Sequence, residues 1–89
     1  MKTKKANQKA VTIKLADFVT WYTGEDFTTA GAREMWADAD LPENVFNMPA
    51  DTLIKVQQTA DDFHADFYCL RIIIDGAEYF ADAVESMPF

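Results

Sequence analysis

Eighty-nine residues are enough for one domain and not two, and a chain that is 49% hydrophobic and 13% aromatic is too apolar to remain disordered. The formal net charge is −7, which opposes direct binding to nucleic-acid phosphates or anionic lipid. The single cysteine, Cys69, excludes an internal disulfide and, lying in an apolar run, points to a reducing compartment.

No apolar run approaches the roughly 20 residues of a membrane span. The opening MKTKKANQKA has basic residues with no apolar segment behind them, unlike a secretory signal. A soluble, cytoplasmic protein is expected. The charge is unevenly spread. Residues 1–14 hold Lys2, Lys4, Lys5, Lys9 and Lys14 and no acid, which leaves Arg33, Lys55 and Arg71 against all 15 acids, a balance of −12. A basic arm therefore precedes an acidic body, and such a body attracts basic surfaces.

In chain order, residues 1–10 read as a flexible basic arm and 11–89 as a single α+β domain. The segment VTIKL (11–15) reads either as a short strand or as the run-in to a helix. Leu15, Phe18, Val19 and Tyr22 then fall at i, i+3, i+4 and i+7, one apolar helical face with Trp21 beside it. Gly24 is placed to end this helix in a left-handed conformation. Thr28 or Thr29 can cap a second helix, whose stripe is Ala32, Met35, Trp36 and Ala39 and whose stop is Leu41-Pro42. PENVFNMP (42–49) has room for one more helical turn between two prolines.

Residues 51–62, DTLIKVQQTADD, fit both periods. Leu53, Val56, Ala60 and Phe63 suit a helical stripe and Pro49 a helix start, while Leu-Ile-Lys-Val is β-prone; the strand is favoured because the next segment needs a partner. Asp75-Gly76 between two β-rich runs signals a hairpin with a two-residue type I′ turn. That turn pairs Ile74 with Ala77, Ile72 with Tyr79, Leu70 with Ala81 and Tyr68 with Ala83 on one apolar face. The other face pairs Ile73 with Glu78, Arg71 with Phe80, Cys69 with Asp82 and Phe67 with Val84, and Arg71 can reach Glu78 or Asp82. The first face is expected to be core, under the helices. The second is a contact surface, covered by the chain itself (residues 11–15 or the Met87-Pro88-Phe89 tail) or by a partner. The expected architecture is two main helices packed on one face of a small antiparallel sheet of about three strands.

Catalytic chemistry finds little support. Ser86 is the only serine, and His64 and Cys69 are five apart on one expected strand, which puts them on opposite faces. One His and one Cys cannot alone make a zinc site. Asp38-Ala-Asp40 begins like a calcium loop, yet Pro42 takes a ligand position and Glu43 the glycine position. No cofactor, metal or catalytic residue is expected, and the chain is not read as an enzyme. No glycine-rich phosphate loop is present.

The acids carry the functional expectation. Nucleic-acid-handling enzymes offer a positively charged groove, and carboxylates on a compact fold can occupy it. The first reading is a small acidic protein-binding inhibitor of such an enzyme, DNA-mimicking in charge. Its size and charge match the general profile of phage-type anti-CRISPR and anti-restriction proteins, with no sequence resemblance to any family. Its candidate contacts are Asp38, Asp40, Glu43, Asp61, Asp62, Asp66, Glu78, Asp82 and Glu85, with Phe80 as apolar anchor. The second reading is an accessory protein-interaction module or homodimer that uses the outer sheet face, with acidity incidental.

Overall fold

A computed structural model gives the structure of the protein and describes residues 9–60 and 68–89. The fold is α+β, with two helices and a four-stranded antiparallel sheet in the order β1-β2-β3-β4. The strands are β1 Lys9–Lys14, β2 Leu53–Ala60, β3 Tyr68–Ile74 and β4 Ala77–Ala83; the helices are α1 Leu15–Thr23 and α2 Ala30–Asp38. Two compact units result. One is Ile13–Ile54; the other joins the chain before it to Lys55–Phe89. The division falls within β1 and β2.

The helical unit follows the sequence pattern closely. Leu15, Phe18 and Val19 are buried on α1, and Gly24 closes it at φ 76°, its amide donating to the Thr20 carbonyl. Thr23 ties down the same end, its hydroxyl donating to the Val19 carbonyl at 2.7 Å. Thr29 is the cap of α2, its hydroxyl accepting from the Ala32 amide. Ahead of it, the Thr28 amide and hydroxyl both donate to Asp26, and this holds the Asp26 carboxyl below the usual range. Ala32 and Trp36 are buried on α2. Met35 departs from its expected place in the stripe and is 50% exposed. The buried stripe of α2 is therefore narrow, Ala32 and Trp36 alone. Trp36 stacks edge-on against Phe18, Tyr22 and Phe46, and its Nε1 donates to the Pro42 carbonyl at 2.8 Å. The extra turn between the prolines is a 3-10 helix, Glu43–Asn47, burying Val45 and Phe46.

In the sheet unit, the hairpin register is the one the Asp75-Gly76 turn dictates. Ile74 pairs with Ala77, Ile72 with Tyr79, Leu70 with Ala81 and Tyr68 with Ala83. Asp75 and Gly76 have φ of 50° and 82°, as type I′ requires. Leu70, Ile72 and Ile74 are buried, as are Val56 and Gln58, which lie opposite Ile72 and Leu70 on β2. Residues 53–60 are thus a strand, and the helical alternative is set aside. On β4 the expected apolar face thins out: Ala81 is buried, Tyr79 and Ala83 are half-buried and Ala77 is exposed. An edge strand has neighbours on one side only, so its small side chains stay closer to solvent.

The sheet has four strands rather than about three. The added one is β1, so VTIKL serves both of its readings, strand to Lys14 and helix from Leu15. Its first residues, Lys9 and Ala10, belong to the segment read as an arm, whose earlier part lies outside the described residues.

Candidate functional site

Strand alternation assigns the outer face of the hairpin to Cys69, Arg71 and Ile73 on β3 and to Glu78, Phe80 and Asp82 on β4. Phe80 is 59% exposed and Val84, just past β4, is 70% exposed. Phe80 and Val84 thus stay exposed on a face that residues 11–15 or the tail were expected to cover. Residues 9–14 extend the sheet sideways as β1. Within the tail, Met87 turns to the opposite face: it is buried, and its amide donates at 2.6 Å to Oε1 of Gln58, itself only 2% exposed. Ser86 donates to the same oxygen and accepts from Nε2 of Gln58. Gln58 is the polar exception in a buried row, and the tail satisfies it.

Arg71 selects Glu78, not Asp82, as its ion-pair partner, Nε donating to Oε2. Its Nη1 also reaches Oε1 of Gln57 at 3.5 Å. Both charged side chains are nearly half exposed, so the pair is worth at most about 1 kcal/mol. Toward β1, the face opens into a shallow groove of about 300 Å³ lined by Val11, Thr12, Lys55, Gln57, Arg71 and Ile73. Its ionisable groups are two cations, with no carboxylate or imidazole to act as a proton-transfer partner. The outer face is therefore polarised, with cations on β2 and β3 and carboxylates on β4.

The expected contact residues divide into two described groups. Glu78, Phe80, Asp82 and Glu85 follow one another along β4 and its exit, all exposed. Asp38, Asp40 and Glu43 lie in the other unit, at the end of α2 and the start of the 3-10 turn, also exposed. Asp61, Asp62 and Asp66, like Phe67 in the hairpin register, lie outside the described residues.

The α2 group has a local cost. Asp38 is the last residue of the helix, where the dipole disfavours a negative charge, and no basic residue occupies the last turn. Glu34 stands four residues earlier, so the two like charges face each other along the helix. Asp40 adopts φ 59°, a left-handed conformation uncommon outside glycine, asparagine and aspartate. Glu34 was not among the expected contacts; its spacing from Asp38 was the signal that could have found it. Among the described residues, no three His, Cys, Asp or Glu side chains gather to hold a metal ion, and no helix is long and apolar enough to cross a membrane. No family model, no curated protein and no solved structure matches the chain.

Proposed function

We propose that the protein is a small acidic inhibitor that binds a nucleic-acid-handling enzyme and occupies its basic, phosphate-binding surface. The observation that carries this reading is Phe80. It is a large apolar side chain, 59% exposed, set between Glu78 and Asp82 on the outermost strand. An aromatic anchor rimmed by charge is the composition of an interface centre, where the ring supplies affinity and the carboxylates supply steering. The acids at the end of α2 support it further. Their placement opposes the helix dipole, so local stability does not account for them. The phage-type anti-CRISPR or anti-restriction role is the specific form of this reading.

The test is affinity capture from a bacterial lysate, with washes at low and high salt and with added duplex DNA. The expected result is an enzyme of nucleic-acid metabolism that is held at low salt and released both by high salt and by DNA. A partner indifferent to salt and to DNA, or capture of the chain alone, would overturn the inhibitor.

One observation favours a second reading. Phe80 and Val84 together expose more apolar surface than charge steering needs. An accessory interaction module or a homodimer through the outer face would use them with the acidity incidental. Salt-independent binding lost on Phe80→Ala would select it.

A further inference from the structure

We propose that the partner docks by adding a strand to the outer edge of β4, and that the added segment is an extended peptide with Lys or Arg at two positions four apart and an apolar residue midway between them, all three on one strand face. The inference rests on the outer face being the partner-binding surface. It specifies the mode of contact and the chemistry of the segment.

In a two-residue type I′ hairpin, the residues flanking the turn exchange both backbone hydrogen bonds, here Ile74 with Ala77. Bonded and non-bonded pairs then alternate, so Tyr79 and Ala81 direct their backbone groups at β3, and Glu78 and Phe80 direct theirs away from it. No strand lies beyond β4 among the described residues. The residues with outward amides are thus the ones whose side chains stand on the exposed face. One incoming strand could take the backbone bonds and meet Phe80 and the carboxylates in the same register.

The two edges of the sheet are guarded differently. β1, KAVTIK, carries a lysine at each end, a common protection against edge pairing. β4, AEYFADA, has no lysine and no proline, and its pairing with β3 runs one-to-one without a bulge. Its charges are all negative: residues 75–89 hold Asp75, Glu78, Asp82 and Glu85 and no Lys or Arg. That edge repels acidic strands and attracts basic ones. It also disfavours a second copy. Antiparallel β4–β4 pairing centred on Phe80 would set Glu78 directly opposite Asp82 of the other chain, and directly opposed like charges destabilise a ladder. A strand with Lys or Arg at those places and an apolar residue between them reverses that sign. This is strand addition to a sheet edge, with main-chain bonds for affinity and alternate side chains for specificity.

The probe is a capped heptapeptide with lysine at its second and sixth positions, valine at its fourth and threonine elsewhere, titrated into the full chain with amide exchange followed residue by residue. At saturation, exchange at Glu78 and Phe80 should slow at least tenfold, with Tyr79 and Ala81 little changed. Glu78→Pro removes an outward N–H without breaking a bond to β3, whereas Glu78→Thr removes the charge and keeps the N–H. Glu78→Pro should weaken the peptide at least tenfold more than Glu78→Thr. Unchanged exchange at Glu78 and Phe80 in the wild-type chain, or protection confined to the Lys55 groove, would overturn strand addition whether or not the proline variant folds. Equal affinities of two folded variants would do the same. Failure of this proposal is separable from failure of the broader one. Lysate capture lost on Phe80→Ala without edge protection removes strand addition alone, whereas capture unaffected by Phe80→Ala removes the outer-face reading itself.

Discussion

The two faces of the β3–β4 hairpin are made by the same fourteen residues and have opposite fates. On one, Leu70, Ile72 and Ile74 are buried and even a glutamine of β2, Gln58, is drawn in and satisfied by the tail. On the other, Phe80 stands largely in solvent beside an exposed ion pair. Hydrophobicity alone does not assign a face. Ile73 and Phe80 are as apolar as Ile72, yet strand alternation puts both on the outer face, where Ile73 is half-buried and Phe80, on the edge strand, is exposed. If the first face belongs to folding and the second to binding, substitutions on the two should separate cleanly.

The largest effect is expected from Leu70→Ala, which empties a fully buried site and should cost about 2–5 kcal/mol in urea unfolding. A loss under 1 kcal/mol would mean that the buried face is not a packed core. Next comes Gln58→Ala. It removes the acceptor of the Met87 amide and the partner of Ser86, and should cost about 1–3 kcal/mol, with faster amide exchange at Met87. Gly76→Ala should cost about 1 kcal/mol, because φ 82° strains any side chain although nothing stands within reach of the added methyl. Smallest on stability is Arg71→Ala on the outer face, at most about 1 kcal/mol and less in high salt. An outer-face change that cost as much as Leu70→Ala would break the comparison.

Much of this was legible in the sequence, for local reasons. The turn chemistry of Asp75-Gly76 fixes the register, and register with period-two alternation fixes the faces. Gly24 and Thr29 end and begin helices through their own backbone and side-chain chemistry. What was not legible depends on distant partners. Nothing near Gln58 in sequence says that Met87, 29 residues on, will donate to it. Nothing near Met35 says that it will stand half exposed while Trp36 beside it is buried. VTIKL could not be assigned to strand or helix because it ends one and borders the other. Of the candidate site, Phe80 and its flanking acids were readable as one face. Arg71 could reach either Glu78 or Asp82 by spacing, and only the side-chain geometry chooses Glu78.

The most direct test of the division is a single variant, Phe80→Ala, measured twice: by urea unfolding and by retention of the lysate partner. The account predicts an unfolding free energy within about 0.5 kcal/mol of wild type, as for other surface changes, and loss of the retained partner. A clear loss of stability with retention unchanged would contradict it, and would make the outer face part of the fold rather than its point of contact.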